Sequence, residues 1–243
     1  IKNNGTIGSA GAATAMTIAS TGIVTFVDDI LIKDTGTIGT ATTPAAITLA
    51  ANGDVTFSGS ISSGGSAFRE QGKDTIFLPA AACQPTITNG SSGLQVVEST
   101  SGRPDMQVLD FDDGSDEHAQ FQVAFPKSWN EGTVTFQVYW TTTATDTDGV
   151  AWGLQGVAVS DNDTIDIAYG TAVVVTDDAL SAAEDLCITA ESGAVTIAGS
   201  PAEGDMCFFR IFRDVSDGND DMTEDARFVG IKLFFTTDAA NDA

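Results

Sequence analysis

The first sixty-one residues are one unit written twice. Laid over residues 32–61, residues 1–30 match at half of the thirty aligned positions, an offset of thirty-one. IKNNGTIGSA falls over IKDTGTIGTA, and MTIASTGIVTF over ITLAANGDVTF. A period of about 20–50 residues marks a repeating, elongated architecture. Each copy carries three short β-type pieces: Ile7 or Ile38, the triplet Met16-Thr17-Ile18 or Ile47-Thr48-Leu49, and Val24-Thr25-Phe26 or Val55-Thr56-Phe57. Between the second and third pieces lies Thr21-Gly22 or Asn52-Gly53, a turn signal in which glycine takes positive φ. One copy has too few large apolar groups to enclose a core, so it must stack on another copy or on other chains.

From Ser58 to Asp74 the text becomes SGSISSGGSAFREQGKD, a Gly/Ser-rich junction. This divides the chain into a two-copy β-repeat shaft (1–61), a junction (62–74) and a third region (75–243). The roughly 170 residues of that third region are enough to bury a core. They are rich in Gly, Ala, Thr, Ser, Val and Asp, a mixture that favours strands and turns over helices. Strand candidates follow one another at 75–80, 94–99, 106–111, 119–125, 134–140, 150–159, 164–175, 186–190, 194–198, 206–212 and 228–235. Short strands separated by Asp, Asn, Gly and Ser predict an all-β antiparallel sandwich or barrel. Ala119, Phe121, Val123 and Phe125 share one face of their strand, and Val134, Phe136, Val138 and Trp140 share another, so each has one buried side. The strands at 206–212 and 228–235 are apolar on both faces and call for cover on both. A neighbouring subunit could supply the second cover. Arg210 and Lys232 interrupt these faces, and each is expected to meet a carboxylate or a subunit boundary, with simple exposure the alternative.

Ten basic residues against thirty-four acidic ones leave a net charge of −24. Through Lys73 the chain is nearly balanced, with four cations and five anions; the remainder holds six cations and twenty-nine anions. Such an acidic region repels nucleic acid, whose binding depends on clustered Lys and Arg, and it repels anionic membranes. A load of this sign is easiest to carry in a saline medium, where the Debye length is short. Cys83, Cys187 and Cys207 form no CxxC pair, and the chain has one histidine, which excludes a zinc framework and reads as buried free thiols of a protein folded in a reducing compartment. No apolar run approaches the ~18 residues of a membrane span. The chain starts at Ile1 inside a repeat, without Met, which points to a preceding N-terminal segment.

The tandem GTIG…(I/L)…G-x-V-T-F pattern running into SGSISSGG resembles the shaft repeats of bacteriophage tail or head fibres, and the acidic β-region after it resembles the C-terminal knob of such fibres. The resemblance covers about a quarter of the chain at the repeats; in the knob it rests on style and position. It implies a homotrimer whose thin shaft carries a jelly-roll-like β-sandwich head. It also implies location in the virion after assembly in the host cytoplasm, with other virion proteins bound through the preceding N-terminal region. The expected role is presentation of the knob to a host-surface glycan or protein. A purely structural head fibre or decoration without a receptor site is the alternative, and a polysaccharide depolymerase spike is a more distant one. Two departures from that pattern are that two repeats make a short shaft and that no chaperone segment is seen after the knob in this sequence.

Catalysis finds little in the sequence. Glycoside cleavage needs two carboxylates facing one bond across ~5–9.5 Å, and with so many acids some pair meets that spacing by accident. His118, in DEHAQ at the mouth of a strand, reads as an exposed residue among carboxylates, and no GxSxG motif is present. The protein is therefore expected to be non-enzymatic and to need no cofactor. Calcium is conceivable at DFDDGSDE (110–117), DTDG (146–149), DNDTID (161–166) or DVSDGNDDMTED (214–225). The last loop, however, places Met222 where an EF-hand needs glycine, so solvated acidic turns are the expectation and no metal ligands are assigned. For receptor binding, Trp129 in KSWNEG falls on a turn where a sugar could stack, though such a residue more often plugs the end of the core. Tyr139, on the face opposite Trp140, is the second surface candidate. Trp140 and Trp152 belong to the core.

Overall fold

Each repeat copy forms a three-stranded antiparallel sheet, and the two copies do so in the same register. The computed structural model describes residues 6–9, 12–26, 30, 32–59, 62–63, 66–67 and 72–238. In the first copy β1 (Thr6–Ser9), β2 (Ala12–Ile18) and β3 (Val24–Phe26) lie side by side; in the second, β4 (Thr37–Ile38), β5 (Ile47–Leu49) and β6 (Val55–Phe57). Ile7, Met16 and Phe26 stand in one cross-strand row, and Ile38, Ile47 and Phe57 repeat it. The turns match as well. Gly22 and Gly53 take φ of +82° and +90°, and each amide donates to the carbonyl three residues back, Ala19 or Ala50. Ile7, Phe26, Ile38 and Phe57 remain 43–47% exposed, as expected of a unit that cannot bury its own apolar row. A two-residue hairpin follows, β7 (Ser62–Ser63) with β8 (Ser66–Ala67).

Compact units divide at Phe68/Arg69, and the second is a β-sandwich. Its strands are β9 (Gly72–Pro79), β10 (Gln84–Pro85), β11 (Gln95–Glu98), β12 (Asp105–Phe111), β13 (Glu117–Val123), β14 (Trp129–Thr141), β15 (Gly149–Val159), β16 (Val173–Asp178), β17 (Cys187–Ile188), β18 (Ile197–Ala198), β19 (Met206–Arg213) and β20 (Ala226–Thr237). One sheet has the order β10-β13-β19-β15-β16, with β18 also on β15. The other has the order β11-β12-β20-β14-β17, with β9 also on β20. Consecutive long strands β12 to β15 alternate between the sheets, and β19 to β20 does the same, so connections cross the ends of the sandwich in jelly-roll manner. The facing sides meet through aromatic contacts. Phe111 of one sheet lies edge-on to Trp152 of the other at 5.2 Å, and Phe228 approaches the same indole at 6.0 Å. Trp140 and Trp152 are fully buried.

Most expected strands are present, several with shifted ends. The strand expected at 75–80 starts at Gly72, because the edge of β20 extends to Thr237 and pairs with it. The run expected at 164–175 is strand only from Val173. Ile165 and Ile167 are 68% and 43% exposed among carboxylates. The adjacent edge of β15 is already taken, by β16 through Leu154 and by β18 at Gly156–Val157. Expected strands at 186–190 and 194–198 shrink to two residues each.

The acidic loop 214–225 is not a simple solvated turn. Arg213 ends β19 pointing inward with no exposed surface, and the loop folds over it. Its guanidinium binds Asp220 at 2.8–3.1 Å and donates to the carbonyls of Phe111, Glu224 and Met222. Asp220 and Asp221 in turn accept the amides of Ala151 and Gly149. A buried guanidinium requires that its charge and its donors be matched, and the carboxylate-rich loop does this.

Candidate functional site: a polar and aromatic sheet face

Strict alternation along β13, β19 and β15 sends Ala119, Phe121, Val123, Cys207, Phe209, Ile211, Trp152 and Leu154 into the core. The residues between them project from the outer face. Pairing register then sets them in rows: His118–Phe212–Gly153–Val174, Gln120–Arg210–Gln155, and Gln122–Phe208–Val157. Although the unit is strongly acidic, no Asp or Glu occupies any of these positions.

The middle row is the organised one. Arg210 donates from Nε and Nη2 to Gln155 Oε1, at 3.0 and 2.6 Å, and the Gln155 amide donates to Gly170 O at 3.1 Å. The guanidinium lies 5.1 Å from the centre of the Tyr169 ring, a cation–π geometry. Burial raises the Tyr169 pKa, opposed by Arg210, so the phenol stays a neutral donor. Gln120 and Gln122 keep side-chain amides without a hydrogen-bond partner among the described residues. Gly170 also borders an open cleft of about 510 Å³ walled by Thr171, Val173, Ala194, Thr196 and Ala198.

The upper row closes one end of the face. His118 stacks on Phe212 with ring centres 5.4 Å apart, and its Nδ1 lies 3.2 Å from Asn89 O. A carbonyl only accepts, so Nδ1 carries the hydrogen. Burial, with help from Arg210, lowers the His118 pKa, and the ring is neutral at pH 7. It is half-buried rather than the exposed residue that DEHAQ suggested. Phe212 lies directly over Gly153, where a Cβ would fall 2.2 Å from the ring. The chain thus supplies its own cover for Phe212, which is 8% exposed, where a subunit had been one expectation.

Neither residue expected to touch a receptor is on this face. Trp129 is 5% exposed, its ring 4.2 Å from that of Phe125. The cavity beside it measures about 10 Å³, room for one water molecule. It plugs the core, and the surface role is corrected: the turn before β14 folds its side chain inward. Tyr139 is half-buried on the outer face of the opposite sheet, edge-on to Phe77 at 5.4 Å. Phe77 is 50% exposed and Ile188, paired with Tyr139, 44%. Gly230 makes room for the Phe77 ring, since a Cβ there would fall 2.6 Å from it. Lys73 and Lys232 flank Phe234 at 4.9 and 5.4 Å from its centre, and Lys73 pairs with Glu191.

The carboxylate partners expected for Arg210 and Lys232 are replaced by an amide and by aromatic rings. The wide carboxylate supply is used elsewhere, on Arg213 and Arg227. Sequence reading named Arg210 only as an interruption and did not single out Gln120, Gln155 or Tyr169. Their signal, polar residues alternating with core residues on three strands, is common to any solvated sheet face. Among the described residues no group of three or more His, Cys, Asp or Glu is placed to hold a metal ion. Cys83, Cys187 and Cys207 are buried and free, and burial pushes their pKa values to about 12, 11 and 12.

No family model matches the chain, and no curated protein does. Among solved structures, the CBM36-1 domain of a multidomain xylanase from the hindgut metagenome of Trinervitermes trinervoides is similar over 66% of this chain and 96% of its own, at 8% identity and a TM-score of 0.35. A family 35 carbohydrate binding module from Clostridium thermocellum is similar over 66% and 97%, at 9% identity and 0.36. A CBM35 from Cellvibrio japonicus is similar over 69% and 99%, at 8% identity and 0.36.

Proposed function

We propose that the β-sandwich is a non-catalytic glycan-binding adhesion head, and that the whole chain is part of a bacteriophage fibre that presents this head to a bacterial surface. The observation that carries the glycan reading is the Gln120–Arg210–Gln155 row braced by Tyr169. Sugars are recognised by planar polar groups that meet adjacent hydroxyls and by aromatic rings that meet their C–H faces. This row offers both, held in place by its own hydrogen bonds before any ligand arrives. The fibre reading rests on the tandem repeat and the half-exposed apolar rows of its sheets, which supports lateral assembly of three chains.

The test is binding of the intact chain to an array of bacterial surface polysaccharides, beside Tyr169→Ala and Gln120→Ala variants. Retention on at least one glycan, weakened about tenfold or more by Tyr169→Ala, is the expected result; loss of one stacking or cation–π contact accounts for a change of that size. Equal retention of all three proteins moves the glycan site off this row, and retention of none favours the second reading, a structural appendage without a receptor site.

A further inference from the structure

We propose that the Arg210 row takes a saccharide residue bearing an oxyanion, a carboxylate or a sulfate ester, with Arg210 and Gln120 as the groups that hold it. The proposal rests on the glycan reading of this same face and names its ligand class.

The argument starts from how the chain spends its few cations. Lys73 is given Glu191, Lys127 is given Glu203, Arg213 is given Asp220, and Arg227 is given Asp110 and Glu184. With thirty-four acidic residues against ten basic ones, a carboxylate is the easiest partner for this chain to supply. Arg210, at the middle of a sheet face, has none within salt-bridge distance among the described residues. It has Gln155, whose oxygen accepts two of its N–H groups and so orients the guanidinium without neutralising it. Among the described residues Lys232 also lacks a carboxylate, but it lies on the other sheet face beside Lys73 and its Glu191, with its ammonium over Phe234. Arg103 sits in an exposed turn. Arg210 is the locked one.

Its unused donors converge with those of a neighbour. Nη1 of Arg210 has no hydrogen-bond partner among the described residues, and Gln120 is its direct cross-strand partner, with a side-chain amide equally unpartnered. Side chains so paired stand about 5 Å apart at Cβ, so a single oxyanion can accept from both. A guanidinium stays charged at any physiological pH. Half-buried against Tyr169, it forms charge-assisted bonds roughly twice as strong as neutral ones. A neutral sugar would use the amide donors but leave that charge unanswered.

Calorimetry on the intact chain separates the cases. The probes are short oligogalacturonates, the same oligomers methyl-esterified to neutrality, and sulfated galactan oligosaccharides. The expected result is at least tenfold tighter binding of one anionic probe than of the neutral one. Arg210→Gln removes that preference, and binding of the anionic probe falls to that of the neutral one. Arg210→Lys keeps the charge but loses the planar fork, and it recovers only part of the preference. Gln120→Ala, on a surface position that leaves the Tyr169 packing intact, weakens both probes, the anionic one by the larger, several-fold factor. Which anionic probe wins decides between carboxylate and sulfate ester. Equal binding of anionic and neutral probes overturns the proposal and leaves the glycan reading standing. A preference that survives Arg210→Gln, or that vanishes instead in Lys232→Gln, also overturns it, by placing the anion elsewhere. Absence of binding to every saccharide overturns both readings.

Discussion

Arg210 and Arg213 are three residues apart on one strand, face opposite sides of the sheet, and are treated in opposite ways. Arg213 points inward and is enclosed by Asp220 and three carbonyls. Truncating its partner leaves a buried uncompensated charge, so Asp220→Ala should lower stability by about 3–5 kcal/mol, read as a drop in the urea midpoint. Arg210→Gln, at a partly exposed position, should change stability by less than about 1 kcal/mol. If the two variants cost the same, Arg210 is structural. The thiols give a second residue-scale test. With pKa values raised to about 11–12, thiolate is nearly absent at pH 8, and the thiolate is the reactive form. Iodoacetamide should leave all three cysteines unmodified in the native protein and modify them after denaturation.

At the scale of elements, the repeat was legible almost strand for strand. Its three pieces became three strands, and both turn glycines took positive φ. Local pattern sufficed there because each strand pairs with its nearest neighbour in sequence. The two-sided strands at 206–212 and 228–235 were legible as such, but not what covers them. For β19 the cover is intramolecular, by way of His118 over Phe212 and the glycine beneath it. Gly153→Ala would drive a methyl into the Phe212 ring, a clash of the kind that costs about 1–3 kcal/mol. The same change should displace His118 and weaken glycan retention; unchanged retention would mean that the upper row is not part of the site. For β20 the outer face leaves Phe77 and Ile188 half-exposed, and Phe77→Asp should reduce self-association of the intact chain in sedimentation equilibrium.

For the whole molecule the governing quantity is its acidity. Burial raises the pKa values of Asp110, Glu117 and Asp177, and the neighbouring Asp146 raises that of Asp148. A carboxyl whose pKa is raised by folding contributes stability that is full below its ordinary range near 4 and is lost as pH rises through the raised value. Mutual repulsion among the carboxylates acts in the same direction. Glu191, held below its ordinary value by Lys73 and Thr135, acts oppositely only as pH falls beneath that range. His118, whose pKa burial lowers, opposes as a single group as pH falls below its ordinary value near 6.5. The melting temperature should therefore be higher at about pH 5 than at pH 7.5 and should rise with added salt, which shortens the screening length to a few Å near 1 M. A lower melting point at pH 5 would contradict this.

Sequence alone determined the β character, the repeat and its turns, the buried indoles of Trp140 and Trp152, and which side of the strands at 119–125 and 134–140 faces the core. All of these depend on spacing within a few residues, where alternation and turn chemistry act directly. It could not determine rows. Gln120, Gln155 and Arg210 come from three strands scattered along the chain, and only the pairing of β13, β19 and β15 puts them side by side. Nor did it decide between surface and core for Trp129, which begins β14 and packs inward, or show that an acidic loop encloses a buried arginine rather than standing in solvent. Those outcomes depend on which distant surfaces meet, and that is settled only when the two sheets close on one another.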